Sequence, residues 1–121
     1  MAKQEIGGKM GRKGFIGEFE QVVLLAALQL KDEAHAPAIS RMLEEDAGRP
    51  VSRGALYSTL DRLERKGLLE WSIEASSGDG DSQPKRRFSV TEEGIEALRA
   101  SREMLLVLWE GLDEVLEGPS T

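Results

Sequence analysis

The stretch Val51 to Leu69, VSRGALYSTLDRLERKGLL, constrains the fold more than any other part of the chain. Ser52 is of the type that caps a helix, and behind it Leu56, Leu60 and Leu63 fall on one stripe while Arg53, Tyr57, Ser58 and Arg62 face away. The segment therefore predicts a helix with one face for a core and another for a partner. Gly54 stands in the first turn, where a missing side chain lets another backbone come close, and Gly67 stops the helix after Arg65 and Lys66. A short helix with a basic, small-residue outer face has the form that enters a DNA major groove.

The flanking sequence places this helix in a mainly α fold with one small β-hairpin. Residues 1–17 hold five glycines and four basic residues with no apolar period, which predicts a flexible basic arm. From Glu18, the run EFEQVVLLAALQL puts Phe19, Val22, Val23, Ala26, Ala27 and Leu30 at helical spacing, and Leu24, Leu25 and Leu28 widen the stripe. A helix apolar that far around needs its own domain on one side and a second subunit on the other, so Phe19 and Val23 are expected at a dimer contact. A turn over Lys31 to Ala36 leads to Pro37, read as the first position of a second helix running through Ile39, Met42 and Leu43 to Gly48.

After the Ser52 helix, Leu69, Trp71 and Ile73 alternate with Glu70, Ser72 and Glu74, the period of a half-buried strand with Trp71 in the core. SSGDGDSQP reads as a turn-rich tip, and KRRFSV as the returning strand with Phe88 and Val90 inward. The Asp-Gly-Asp in the tip has calcium-loop spacing but lacks the later ligands and closing glutamate of such a loop. Thr91 caps a last helix, with Glu92 and Glu93 in its positive first turn. From there Ile95, Leu98, Arg102, Leu105, Trp109, Leu112 and Leu116 recur at three and four, a heptad-like seam broken once by Arg102. Leu98, Leu105, Trp109, Leu112 and Leu116 are the residues expected to carry self-association, and Gly118 and Pro119 to end it. A tryptophan on such a seam either fills it or walls a pocket for a flat aromatic molecule, and both readings stand for Trp109. The chain thus divides into the arm, a domain over 18–90, a dimerisation helix over 91–118 and a tail over 119–121.

The net charge of −6 is unevenly distributed. Residues 1–17, 49–67 and 85–90 each carry +3, whereas 18–48, 68–84 and 91–121 carry −5, −4 and −6. The three basic blocks fall on the arm, the Ser52 helix and the returning strand, with Lys85, Arg86 and Arg87 at the base of the hairpin. Three separated cationic blocks on an acidic body fit a phosphate-contacting face with the remainder turned away. Ordinary solvated charge is the alternative.

Two blocks also carry a family resemblance. Ser-x-Gly-Ala-Leu-Tyr-x-x-Leu-x-x-Leu-Glu-x-x-Gly-Leu-Leu from Ser52, followed by Arg-Arg-Phe-x-Val-Thr-Glu-Glu-Gly from Arg86, resembles the PadR family of bacterial transcriptional regulators over about Gly17 to Leu116. The resemblance implies a winged helix-turn-helix domain with a C-terminal dimerising helix, in the short branch with one such helix. It also implies a repressor role and release by a small aromatic effector. The chain departs from the family pattern after His35, where Ala36 and Pro37 replace the usual Gly-Tyr.

Several function classes recede on composition. With no cysteine there is no disulfide, thiolate metal site or thiol nucleophile. His35, the single histidine, has no second histidine or nucleophile to join it and reads as a turn or capping residue. No enzyme, cofactor or metal is expected. No run approaches the roughly 18 apolar residues of a membrane span, and MAKQEIGGKM lacks the core of a secretory signal, so a cytoplasmic protein is expected. A chain of 121 residues makes one domain burying roughly 65% of its unfolded surface, a modest core that a second subunit would extend.

The expectation is a homodimer on a pseudo-palindromic DNA site, contacted through Ser52, Arg53, Tyr57, Ser58, Arg62, Lys85, Arg86 and Arg87. The competing expectation is a winged helix that binds another protein.

Overall fold

The computed structural model describes residues 16–74 and 85–118. In chain order these form α1 (Glu18–Leu30), a 3-10 turn (Lys31–Glu33), α2 (Ala36–Glu45), α3 (Arg53–Arg65), strands β1 (Leu69–Glu74) and β2 (Lys85–Val90), α4 (Glu92–Trp109) and α5 (Asp113–Glu117). Residues 1–15 of the basic arm, the hairpin tip with its Asp-Gly-Asp, and the tail at 119–121 lie outside the described residues.

Each helix begins and ends for a local reason. At α1 the Glu20 carboxylate reaches back to accept the Gly17 N–H at 2.9 Å, the half of a capping box that needs no side chain at the N-cap. Pro37 occupies the second rather than the first position of α2, behind the extended N-cap His35. Ser52 Oγ accepts the Ala55 N–H at 3.1 Å to start α3. α3 ends as Gly67 takes φ 80°. The N–H groups of Gly67 and Leu68 then return to the carbonyls of Glu64 and Leu63, each at 3.0 Å. Thr91 Oγ1 accepts the Gly94 N–H at 3.0 Å and donates to the Gly67 carbonyl at 2.7 Å, so the cap of α4 is also a tie to the end of α3.

The first three helices enclose a core of Val23, Leu24, Ile39, Leu60, Leu63 and Leu68, all nearly without solvent contact. Each such side chain contributes about 1.5–3 kcal/mol relative to exposure. β1 and β2 pair antiparallel with Leu69 opposite Val90, Trp71 opposite Phe88 and Glu74 opposite Lys85. A bond from the Phe88 N–H to the Ala34 carbonyl (2.9 Å) fastens the hairpin to the turn before α2. α4 then packs against β2 and α1. At Gly94 an added Cβ would strike the Leu68 carbonyl oxygen and come within 2.6 Å of Val90 Cγ1, so glycine sets how closely α4 seats on the hairpin.

Three expectations are corrected here. Only Leu69 of β1 is buried, so the inward alternation stops after one residue, because the core ends beneath Phe88. Trp71 is 37% exposed rather than core, with the Arg86 guanidinium 5.0 Å above its ring. The last helix is not continuous over 91–118: Glu110 turns extended, Gly111 takes φ 79°, and a separate short α5 follows. Among the described residues, no helix is long and apolar enough to cross a membrane.

Candidate nucleic-acid interface

The outer surface of α3 is set by its helical period. With Leu56, Thr59, Leu60 and Leu63 buried, Gly54, Ser58, Asp61 and Arg65 form the stripe farthest from the core, and all four are exposed. Nothing lies within 4 Å of a Cβ built on Gly54, so this glycine opens outward instead of admitting a neighbour from the same chain. On one flank of the stripe the Arg53 guanidinium lies 5.8 Å from the Tyr57 ring centre. These two residues border a groove of about 270 Å³ against Ala36, Pro37 and Ser40 at the start of α2. The Ser52 hydroxyl is engaged as an acceptor by its own helix, which leaves its proton for an acceptor outside.

The other flank differs from the sequence expectation. Arg62 does not stand free: its Nε donates to Glu20 Oε2 at 2.9 Å, and a second nitrogen donates to Thr59 Oγ1 at 3.3 Å. Lys66 Nζ lies 3.0 and 2.9 Å from the two oxygens of the same carboxylate. Glu20 is only 5% exposed. Burial by itself would raise its pKa, but the Lys66 and Arg62 hydrogen bonds, the Gly17 amide and the Lys66 charge together hold it below the ordinary value. The sequence did contain a signal for this pair of contacts. Glu20 lies three, four and seven residues before Val23, Leu24 and Ala27, on the buried side of α1, and a carboxylate there requires cations from another element.

At the hairpin, Lys85 is exposed where β2 begins, opposite Glu74 at the end nearest the tip and not at the base as expected, because the strands pair from Leu69–Val90 outward. Arg86 packs over Trp71 and, at 5.4 Å, Phe88. Arg87 of β2 lies 3.7 Å from the exposed Asp32 of the 3-10 turn. His35 does not cap with its side chain; its Nε2 meets Glu74 Oε1 at 2.7 Å and joins the start of α2 to the end of β1. That hydrogen bond is the leading cause of a lowered Glu74 pKa. Arg65 and the His35–Glu74 contact were both missed by the sequence reading. The first follows from the helix period once the buried stripe is fixed. The second joins residues 39 apart and left no local trace.

The residues expected at a dimer contact divide into two sets. Val23 is fully buried and Leu98 is 8% exposed, both within the protomer's own core, so neither side chain is left for a partner. Phe19 is partly buried against that core beneath Arg49, whose guanidinium is 5.3 Å from its ring centre. By contrast Leu105, Trp109, Leu112 and Leu116 remain 37%, 47%, 39% and 57% exposed. Leu105 and Trp109 line a largely apolar groove of about 550 Å³ between α1 and α4, together with Leu25 and Leu28.

Three helices whose third turns Gly54, Ser58, Asp61 and Arg65 outward with Arg53 beside them, followed by a two-stranded hairpin fastened to the same core, define a winged helix-turn-helix, a class of DNA-binding proteins. The sequence profile described as the transcriptional regulator PadR-like family matches residues 24–100, and the chain belongs to that family. A PadR family transcriptional regulator from Eggerthella lenta is 30% identical and superposes with a TM-score of 0.61 over 98% of this chain and 99% of its own. A PadR-like transcription factor from Bacteroides fragilis is 26% identical, with a TM-score of 0.64 over 92% and 98% of the two chains. A PadR-like regulator from Bacillus cereus, at 23% identity and a TM-score of 0.67 over 84% and 93%, shares the fold. Comparison with curated proteins gives no significant match. The chain is a transcriptional regulator of the DNA-binding kind, and its family is not one of enzymes.

Proposed function

We propose that two copies of the chain form a two-fold dimer that represses transcription by occupying a pseudo-palindromic promoter site in the cytoplasm. The observation that carries this reading is the pairing of two exposed surfaces on one small protomer: the outward stripe of α3 and the apolar groove between α1 and α4. Residues 18–90 form the DNA-binding unit and 91–118 the dimerising one. Arg53, Tyr57 and Ser58 supply base and phosphate contacts, and Ser52 with the N-terminus of α3 holds a phosphate. Lys85, Arg86 and Arg87 contact the backbone beside the groove.

A two-fold dimer sets its two α3 helices in successive major grooves about 34 Å apart. Leu105 and Trp109 with Leu25 and Leu28 form the contact between copies, Leu112 and Leu116 extend it, and a flat aromatic effector stacks on Trp109. An effector bound there changes how the two protomers are set, and a dimer out of step with the groove repeat loses affinity.

The reading is tested by selecting bound duplexes from a random DNA pool and measuring affinity against salt for the winner. A palindrome with half-sites about ten base pairs apart and a steep salt slope is the expected result. Feeble binding with no enriched sequence would overturn it and favour a protein-binding winged helix.

A further inference from the structure

The α3 cations fall into two sets. Among the described residues, Arg53 and Arg65 have no acidic partner, whereas Arg62 and the adjoining C-cap Lys66 are both held by Glu20. Glu20 is buried, but the cations are not: their side chains are 45% and 39% exposed, so their outer sides already stand at the surface. One carboxylate thus engages two cations one helical turn apart, from a different helix, and the Gly17 amide completes its coordination. A carboxylate and a phosphate compete for the same donors in the same geometry. Phosphate contacts raise affinity for every sequence alike and carry no base information.

We propose that Glu20 is a positioning residue that withholds Arg62 and Lys66 from the DNA backbone and thereby keeps non-specific binding weak relative to operator binding. The inference rests on the DNA-binding reading above. Glu20 does not touch DNA. It acts through the two side chains it holds, and because it sits on α1 it also fixes the roll of α3, so that the Gly54–Ser58–Asp61–Arg65 stripe faces outward.

The test uses the full chain and two duplexes, the selected operator and a random sequence of equal length. Glu20→Gln preserves shape but removes the charge that competes with phosphate. Release of one or two cations steepens the dependence of log affinity on log salt by about 0.9 to 1.8 units on the random duplex, or about 3- to 12-fold across a fourfold salt change. Affinity for the random duplex rises at low salt, and the operator-to-random ratio falls. The triple variant Glu20→Gln, Arg62→Gln, Lys66→Gln returns to the parent slope. A folded Glu20→Gln protein with the parent slope overturns the proposal, since a purely structural carboxylate would change stability alone.

Arg62→Gln with Glu20 intact provides a second check that does not depend on the folding of the first variant. Its slope matches the parent if Arg62 is off the DNA, and a slope shallower by about 0.9 overturns the proposal. If the parent protein binds neither duplex, the regulator reading falls and this one with it. If the parent binds both and Glu20→Gln leaves the slope unchanged, only the role given to Glu20 falls.

Discussion

Glu20 is the residue at which charge, burial and helix packing meet. A carboxylate 5% exposed would be costly alone, and it is tolerated because three donors from two other parts of the chain converge on it. Its folded pKa lies below its ordinary value of 4.5. The stability this group contributes is therefore fully present above the unfolded value and is lost as pH falls through the lower, folded one. Glu74, lowered chiefly by its hydrogen bond to His35, acts in the same direction. Urea midpoints measured between about pH 6 and pH 3 are expected to fall for the parent and to fall less for Glu20→Gln. Equal slopes for the two proteins would show that the carboxylate gains nothing from its partners. The sequence reading passed over Glu20, although its spacing from Val23, Leu24 and Ala27 puts an acid on the buried side of α1; its partners left no local trace, because the ties to Arg62 and Lys66 span 42 and 46 residues.

At the scale of elements, the caps were legible and the ends of the apolar patterns were not. Ser52, Thr91 and Gly67 act where the sequence places them, because capping is decided by a few neighbouring atoms. The alternation in β1 and the repeat from Ile95 to Leu116 report only that one face is apolar. Whether the protomer's own core reaches that face depends on where the core ends. It stops beneath Phe88 in the hairpin and after Leu98 and Ser101 in α4. Gly111 was the local signal for the break before α5, and the periodicity across it concealed that signal. Gly94 makes the packing of α4 testable. An alanine methyl group at Gly94, in the first turn of α4, would meet a backbone carbonyl that cannot swing aside. Gly94→Ala is expected to lower stability by about 1–3 kcal/mol in urea unfolding. A variant as stable as the parent would contradict the close seating of α4 on Leu68 and Val90.

For the whole molecule, the arrangement is a finished core with unfinished edges. Met104, Leu105, Leu106, Val107, Leu108 and Trp109 are all at least one-third exposed, a contiguous apolar end to α4 beside Leu25 and Leu28 of α1. Surfaces of this kind on small proteins mark interaction sites. Under the dimer reading, Leu105→Glu buries a charge in that contact, at a cost of several kcal/mol. Sedimentation velocity is then expected to show a monomer where the parent sediments as a dimer, with operator affinity reduced about tenfold or more. A dimer of unchanged affinity would move the contact elsewhere on the molecule. The division of charge along the chain was legible from sequence. The placement of individual cations was not: of four arginines expected on the DNA face, Arg62 is held by Glu20, Arg86 lies over Trp71 and Arg87 pairs with Asp32, while Arg53 stacks on Tyr57.

The junction at Thr91 gives the protomer a fixed corner. Thr91 donates to the Gly67 carbonyl through its hydroxyl and to the Leu68 carbonyl through its amide, at 2.7 and 3.1 Å, so the start of α4 is pinned to the end of α3. The 18 residues of α4 extend about 27 Å from that point. Gly94, Ala97, Leu98 and Ser101 are buried along the way, so the helix is seated over its first half and its Trp109 end projects from that seat. A partner that grips the projecting end therefore holds a part whose root is tied by two hydrogen bonds to the end of α3.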